Sequence, residues 1–254
     1  MHDIVAKVQS VEGWLHPREM RTLFEMARKC QGRGAIIEVG SWKGKSTICL
    51  ASGARAGHGT KVHAIDPHTG SPEHAETFGE VRTFMEFQQN IRKAGVEEAV
   101  LPHVEESVSA AGKFNEPVEL AFIDGLHEYE GVKADFEAWF PKLIDGGTMA
   151  FHDTSCWPGP LKVVSDCLFK SRYFRRVRFV CSLTYGQKVA QNTFLERLEN
   201  RLMLCAFLIH AVFDRKLYRF VHTYLDFPAA RALRQWVRGR PRLEPVGEEA
   251  ARAK

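Results

Sequence analysis

Short apolar runs rich in β-branched residues alternate along the chain with stretches whose apolar positions recur every three or four residues. The runs predict β-strands and the stretches predict amphipathic helices. The predicted strands cover residues 35–39, 61–66, 99–104, 118–124, 148–152, 177–181 and 183–189. The predicted helices cover residues 17–30, 46–54, 78–94, 129–143 and 161–171. This alternation indicates an α/β domain with a parallel sheet covered by helices, in which the last two strands form a hairpin.

After residue 190 the pattern changes to one long helix with an apolar face. The positions on that face are Leu198, Leu202, Ala206, Ile209, Phe213, Leu217, Phe220 and Tyr224. One interpretation is a helix that packs on its own core or on the partner of a homo-oligomer. The other is a peripheral contact with a membrane or an anionic glycan. The basic residues available for that contact are Arg215, Lys216, Arg219, Arg231, Arg234 and Arg238. We therefore divide the chain into a domain at 1–190, a C-terminal helical extension at 191–238 and a flexible tail at 239–254.

Composition and charge exclude several classes of protein. The 254 residues are 44% hydrophobic and 26% charged, as in ordinary globular proteins. The net charge is +4, but residues 191–254 alone hold 12 Lys and Arg against 7 Asp and Glu, so a nucleic-acid partner is not expected. The six cysteines form no CxxC pair, and the start of the chain has no secretion signal, so we expect a cytoplasmic protein with reduced thiols. The longest uncharged apolar run, 202–213, is shorter than the ~20 residues of a membrane span.

A glycine-containing turn follows the first predicted strand and precedes a helix. Glu38, Gly40 and Gly44 lie in this turn, where glycine allows the backbone to approach a bound ligand. The second strand ends at Asp66, near the interval of about 20 residues at which an acidic side chain meets ribose hydroxyls in dinucleotide folds. The combination indicates a cofactor that carries adenosine.

The same turn, with the sequence GSWKGKST, also resembles a phosphate-binding P-loop. The spacing argues against that alternative, because three residues rather than four separate Gly40 from Gly44. Glu38 would also place a carboxylate at the mouth of the loop, where it repels a triphosphate and tolerates a cationic ligand.

Acidic residues end two neighbouring strands of the predicted sheet. Asp124 ends the fourth strand, and His152 with Asp153 ends the fifth, at the edge where open α/β sheets place their chemistry. Two close carboxylates repel each other unless one is protonated or a cation lies between them, and oxygen ligands suit Mg²⁺, Mn²⁺ or Ca²⁺. A histidine in the same shell would shift the preference toward a transition metal.

The motif Glu38-x-Gly40-x-x-x-Gly44, the later Asp66 and the segment 122–154 together resemble class I S-adenosylmethionine-dependent methyltransferases. The resemblance covers residues 11–190 and is strongest to the small metal-dependent O-methyltransferases, which include sugar O-methyltransferases and have cephalosporin hydroxylase-like relatives. It implies a Rossmann-like doubly wound sheet of seven strands, with the last strand antiparallel and inserted beside the fifth. The chain departs from the family in one place: relatives often carry a carboxylate or amide beside the second aspartate, whereas the neighbours of Asp153 are His152 and Thr154.

The resemblance also implies the role of each site residue. The cofactor's methionine part would lie beside Glu38, Gly40, Ser41 and Trp42, with Gly44 in the same loop. Its ribose would lie beside Asp66, and its adenine beside Glu106 or Ser107. A divalent metal, expected to be Mg²⁺, would bind Asp124, His152 and Asp153. His127 matches the position of the proposed catalytic base.

The expected function is therefore metal-assisted methylation of a hydroxyl on a sugar, a glycoside or another vicinal diol. The acceptor would be a small molecule or a glycan, and S-adenosylmethionine would be the donor. Two alternatives remain open from the sequence. One is a hydroxylase-like enzyme on the same scaffold. The other is a non-catalytic protein that docks on a membrane or a partner through its basic C-terminal helix.

Overall fold

A computed structural model describes residues 4–70 and 81–224, with side chains described up to residue 213 in the last helix. Within these residues, seven strands form one mixed sheet in the order β3-β2-β1-β4-β5-β7-β6. The strands are β1 Ala35–Val39, β2 Val62–Ile65, β3 Val100–His103, β4 Val118–Ile123, β5 Leu143–Phe151, β6 Phe174–Val180 and β7 Leu183–Lys188. β7 runs antiparallel to both β5 and β6. The predicted seven-stranded sheet, with its last strand antiparallel beside the fifth, is confirmed.

Helices cover both faces of this sheet. They are α1 Ile4–Val8, α2 Pro17–Lys29, α3 Lys45–Ala56, α4 Phe84–Lys93, α5 Ser107–Lys113, α6 Tyr129–Trp139, α7 Pro158–Val163 and α8 Phe194–Tyr224. Successive residues of β1 point to opposite faces, so Ile36 packs in one hydrophobic core and Ile37 in the other. All five residues of β1 are buried, as expected for a central parallel strand.

Several predicted boundaries were wrong for local reasons. The helix predicted over 129–143 ends at Trp139, because Pro141 in the following 3-10 turn cannot donate a helical hydrogen bond. β5 begins at Leu143, five residues before the predicted start, since Gly146 and Gly147 disguise it as a turn. The helix predicted over 78–94 begins at Phe84, and residues 78–80 lie outside the described residues. The short helices α1 and α5 were not predicted.

The long C-terminal helix is confirmed as α8, and it packs against the β6 edge of the sheet. Leu204, Phe207 and Ala211 are buried on its inner face. Asn200 fixes the contact, because its Oδ1 accepts from the Val177 amide at 3.2 Å and its Nδ2 donates to a carbonyl of β6. In the part of the chain with described residues, no helix is both long and apolar enough to cross a membrane.

The basic residues proposed for a membrane or glycan contact fall outside the described side chains. The side chains of Arg215, Lys216 and Arg219 lie beyond those that are described. Arg231, Arg234, Arg238 and the tail at 239–254 lie outside the described residues. The division into 1–190, 191–238 and 239–254 stays a prediction.

Candidate active site

The carboxyl ends of β1, β2, β4 and β5 meet at one edge of the sheet. Backbone hydrogen bonds continue the strand pairing past the strand ends: Gly40 donates to the Ile65 carbonyl at 2.9 Å, and Asp124 donates to the Val39 carbonyl at 2.8 Å. The sheet order reverses direction between β1 and β4, and open α/β sheets bind their ligands in a crevice at such a point. The predicted cofactor turn and the predicted metal ligands therefore share one crevice.

The turn after β1 and the loop after β4 approach each other so closely that only glycine fits at position 40. A Cβ atom added at Gly40 would lie 2.1 Å from the carbonyl oxygen of Asp124. At this distance the Cβ atom would overlap with a backbone atom, which cannot shift as a flexible side chain could. The turn after β1 and the loop after β4 are thus locked together.

Asp124, His152 and Asp153 form a compact group at the ends of β4 and β5. His152 Nδ1 lies 3.1 Å from Asp124 Oδ1 and 3.7 Å from Asp153 Oδ1. Each of the three residues offers one ligand atom, and these atoms all lie within 4.8 Å of one another. These side chains have the spacing of metal ligands, in a search restricted to the described residues. They are the three residues that the sequence analysis selected.

Glu19 joins this group from α2, although the sequence analysis did not select it. Its carboxylate is buried and lies 3.2 Å from His152 Nε2. It also accepts hydrogen bonds from the His16 amide and from the amide and hydroxyl of Ser182. Local sequence gives Glu19 a different role, as the acidic residue of a capping box with His16, so nothing near it in the sequence indicates the contact with His152.

The carboxylates around His152 act against the effect of burial on its pKa. Burial alone would lower the pKa of the imidazole, but Asp124, Asp153 and Glu19 raise that pKa well above its ordinary value. Burial raises the pKa of Asp124, although the charge of His152 acts in the opposite direction. Burial would also raise the pKa of Glu19, but His152 and several hydrogen bonds outweigh it and the pKa falls.

His127 lies directly beside the acidic group. Its Nε2 is 3.2 Å from Asp153 Oδ2. Its ring stacks on Trp157, with ring centroids 4.6 Å apart and planes inclined by 8°. Asp153 therefore lies between two imidazoles, and Trp157, which the sequence analysis did not single out, fixes the plane of His127.

On the other side of the crevice, Asp66 holds the glycine turn. Its Oδ2 accepts from the amides of Ser41 at 2.8 Å and Trp42 at 2.7 Å, and its Oδ1 accepts from the His68 amide at 2.7 Å. The amides that a P-loop would offer to phosphate are thus already bonded to a carboxylate. This geometry argues against the P-loop alternative.

Three buried polar atoms around this turn have no hydrogen-bond partner among the described residues. They are Glu38 Oε1, Ser41 Oγ and His68 Nε2. Buried polar atoms in a folded protein are normally satisfied, so such a cluster indicates where a polar ligand binds. Donor and acceptor atoms in this arrangement fit the amino acid and ribose parts of S-adenosylmethionine.

Glu38 lies in β1 just before the turn and is fully buried. Burial raises its pKa to about 8, against the opposing effect of hydrogen bonds from the Ser46 and Thr47 hydroxyls. The Thr47 hydroxyl donates to Glu38 Oε2 at 2.5 Å. A cationic ligand beside the carboxylate would favour its ionised form, which matches the ammonium and sulfonium charges of the proposed cofactor.

The remaining predicted cofactor residues are Gly44, Glu106 and Ser107. An added Cβ at Gly44 would meet Phe87 and Ile91 of α4 at 3.2 Å, so this glycine serves packing against α4. Glu106 is exposed just before α5, and the Ser107 hydroxyl accepts a hydrogen bond from Trp139 Nε1 at 2.9 Å. The adenine contact of Glu106 and Ser107 stays a prediction.

Backbone strain is concentrated at the site. Five non-glycine residues of the described chain have positive φ, and three of them lie here: Trp42 at 47°, His68 at 58° and Asp153 at 56°. Such conformations are costly and persist where the surrounding structure fixes them, often at functional sites. The ring of Trp42 also meets Trp14 of the N-terminal segment, with centroids 5.7 Å apart.

The order of the strands, with the antiparallel β7 between β5 and β6, defines the Rossmann-like fold of class I S-adenosylmethionine-dependent methyltransferases. Residues 37–154 match the family model described as "Methyltransferase domain". This match spans 118 of the 254 residues, and it agrees with the methyltransferase family that the sequence analysis predicted.

Solved structures with this fold include several O-methyltransferases. The O-methyltransferase NovP has a TM-score of 0.59 and 17% identity, over 68% of this chain and 80% of that chain. TomG from Streptomyces achromogenes, in complex with SAM, has a TM-score of 0.54 and 14% identity, over 75% and 91%. An O-methyltransferase from Bacillus cereus, in complex with SAH, has a TM-score of 0.52 and 17% identity, over 73% and 87%. At these identities the likeness shows the fold.

One curated relative is more similar in sequence. The uncharacterized protein y4gI of Sinorhizobium fredii is 34% identical over 129 residues, which make up 47% of this chain. The chain spans only 13% of the length of that relative.

Proposed function

We propose that the protein is an S-adenosylmethionine-dependent O-methyltransferase. The observation that carries the proposal is the meeting of two half-sites at one sheet edge. The turn held by Asp66 lies on one side, and the group of Asp124, His127, His152 and Asp153 lies on the other. A methyl donor and an acceptor must approach each other in line, and good alignment can contribute ~7–11 kcal/mol to catalysis.

Glu38, Ser41, Trp42 and Asp66 would hold the cofactor in this proposal. The unpartnered Glu38 Oε1 and Ser41 Oγ support it, because these buried atoms need a polar ligand. The bound cofactor supplies an electrophilic methyl group on a positively charged sulfur. The solved structures of TomG in complex with SAM and of the Bacillus cereus O-methyltransferase in complex with SAH add support for this ligand.

Asp124, His152 and Asp153 would hold a divalent metal, which we expect to be Mg²⁺. Their compact spacing supports this assignment, although a nitrogen ligand also suits transition metals. A metal held by these three residues would make the proton of an acceptor hydroxyl easier to remove. We propose a sugar, a glycoside or another vicinal diol as the acceptor, because two adjacent oxygens would suit such a site.

His127 would accept the proton of the hydroxyl. An alkyl hydroxyl has a pKa near ~15.7 and imidazole near ~6.5, so full transfer without help costs roughly 12 kcal/mol. The carboxylate of Asp153, 3.2 Å from His127 Nε2, would stabilise the imidazolium that forms. We therefore expect His127 to accept the proton only when the Asp153 carboxylate stabilises its charged form.

We further propose that the protein acts in the cytoplasm on a small molecule or a glycan, without a nucleic-acid partner. All six cysteines lie among the described residues and are free thiols, which supports a reducing compartment.

The test uses the purified protein, S-adenosylmethionine with an isotope-labelled methyl group, and a panel of sugars, glycosides and catechols. Mass spectrometry should locate the label on a hydroxyl oxygen of one acceptor, with less transfer in EDTA and recovery on adding Mg²⁺. Transfer to nitrogen or carbon would contradict the proposal. An oxidised acceptor without label would favour the hydroxylase-like alternative.

A further inference from the structure

Glu19 determines which nitrogen of His152 faces the crevice. His152 Nε2 lies 3.2 Å from Glu19 Oε2 and 3.2 Å from Ser182 Oγ. The Ser182 hydroxyl donates its proton to Glu19 Oε1 at 2.9 Å, so the serine oxygen can only accept from the imidazole. Both neighbours of Nε2 are therefore acceptors, and Nε2 carries a proton.

The carboxylate of Glu19 is itself immobilised. Oε1 accepts two hydrogen bonds from Ser182, and Oε2 accepts one from the His16 amide at 2.8 Å. Glu19 is 2% exposed and His152 is 4% exposed, so water does not compete for these atoms. The imidazole ring is thereby locked with Nδ1 directed at Asp124 and Asp153.

We infer that Glu19 is a positioning residue for a metal ligand: by keeping the proton on His152 Nε2, it makes Nδ1 the ligand atom beside Asp124 and Asp153. Metal-bound histidines commonly donate their other N–H to a carboxylate, and loss of that partner costs 10–100-fold in metal affinity. This inference rests on the proposed function for the identity of the site. Its tests do not require turnover.

The test compares Glu19→Gln with Glu119→Gln. Glu119 is also buried and accepts two backbone amides, from Gln31 and Arg33, but it lies at the opposite end of β4. The amide of Glu19→Gln can donate to His152 Nε2 and so move the proton to Nδ1. Nitrogen-15 NMR of labelled histidine reports the tautomer when Mg²⁺ is bound, and Mn²⁺ titration followed by electron paramagnetic resonance reports metal affinity.

We expect Nε2 protonation with Mg²⁺ bound in the wild type, and Mn²⁺ affinity 10–100-fold weaker in Glu19→Gln. Glu119→Gln should keep the wild-type Mn²⁺ affinity even if it lowers the melting temperature. Cofactor affinity should be unchanged in both variants. Wild-type Mn²⁺ affinity in Glu19→Gln, or a proton on Nδ1 in the metal-loaded wild type, would overturn the inference. Failure of methyl transfer alone would count against the proposed function and leave these readouts intact.

A second, independent observation concerns the outer face of α8. Six positions at alternating steps of three and four residues form an exposed seam: Leu195, Leu198, Leu202, Cys205, Ile209 and Val212. Leu195 and Ile209 are each 73% exposed, and Leu202 is 64% exposed. This spacing is the heptad pattern of helices that pair with another helix. The inner face of α8 already packs on its own domain, so the seam needs a second partner.

The seam is complementary to itself. An antiparallel two-fold pairing centred between Leu202 and Cys205 would place each of these against the other in the second copy. It would likewise pair Leu198 with the other copy's residue 209, and Leu195 with its residue 212. Every seam position gains an apolar partner, as an isologous interface requires. The exposed apolar side chains between residues 194 and 213 present an area on the order of the ~800 Å² that each partner gives to a stable interface.

The charge of α8 favours a second copy of this chain over an anionic membrane as the partner of the seam. Residues 194–213 hold two arginines and two glutamates, so this part of the helix carries no net charge to attract an anionic membrane. Residues 214–224 hold three Lys and Arg and one Asp. A parallel pair would bring these two basic segments together, whereas an antiparallel pair separates them. We propose that α8 forms an antiparallel homodimer through this seam.

Sedimentation equilibrium tests the dimer. The wild type should be dimeric at micromolar concentration, and Leu202→Glu should weaken association at least 100-fold. Met85→Glu, which changes an even more exposed apolar residue on α4, should remain dimeric. On oxidation, Leu202→Cys should form an interchain disulfide with Cys205 of the second copy. A monomeric wild type would overturn the proposal, as would a monomer that binds anionic phospholipid vesicles through the seam.

Discussion

Gly40 and Asp124 are in direct backbone contact, since a Cβ atom at Gly40 would lie 2.1 Å from the Asp124 carbonyl oxygen. This contact joins the cofactor half of the crevice to the acidic half. Gly40→Ala must therefore push the two loops apart. We expect a loss of about 2–4 kcal/mol in the free energy of unfolding, typical of steric overpacking and strained φ.

Urea denaturation measures this effect, and Gly112→Ala is the matched control. Gly112 lies in α5 with no atom within 4 Å of an added Cβ, so alanine there should stabilise the protein by about 0.5–1 kcal/mol. Equal stability of Gly40→Ala and the wild type would contradict the described contact.

Asp66→Ala should abolish tight cofactor binding. The substitution frees the amides of Ser41, Trp42 and His68 and loosens the turn that they hold. We expect at least a 100-fold loss of S-adenosylmethionine affinity by calorimetry and a lower melting temperature. An affinity within threefold of the wild type would show that the turn does not form the cofactor site.

His127→Ala should lower the rate of methyl transfer and leave cofactor binding unchanged. General base catalysis contributes about 10²–10⁴-fold, so kcat should fall by that factor. S-adenosylmethionine affinity should be unchanged, because His127 contacts Asp153 and Trp157 rather than the glycine turn. Calorimetry and initial rates on the same preparation check both statements. Wild-type kcat would remove His127 from the mechanism.

Glu38 predicts a pH dependence of stability in the unliganded protein. The native pKa of about 8 lies above the ordinary value of 4.5, so the native state keeps a proton that the unfolded chain releases. The stabilisation is fully present below pH 4.5 and is lost as the pH rises through 8. The slope is about −1.4 kcal/mol per pH unit between these values.

Glu38→Gln removes this titration. The difference in unfolding free energy between the variant and the wild type should therefore grow in favour of the variant between pH 5 and pH 8. Denaturation curves at each pH measure the difference. A difference that does not change with pH would contradict a buried, protonated Glu38.

The residues at the strand ends were predictable because sequence alone places them. Asp124, His152 and Asp153 follow apolar runs that can only be buried strands, and neighbouring parallel strands bring their carboxyl ends together. The turn around Gly40 and its acidic partner Asp66 follow from the same rule, since β1 and β2 also pair in parallel.

Contacts that depend on packing were not predictable. Glu19 is 133 residues from His152 in the chain, and its capping role in α2 explains it locally without that contact. Trp157 meets His127 through the way the loop after β5 folds back, which no periodicity encodes. α5 was missed because seven residues are too few to show a helical period.

The most direct test of the central claim is calorimetric titration of the purified wild-type protein with S-adenosylmethionine. We predict one site per chain with a micromolar or tighter dissociation constant, binding by S-adenosylhomocysteine at the same site, and loss of both in Asp66→Ala. A folded wild-type protein that binds neither compound would contradict the account.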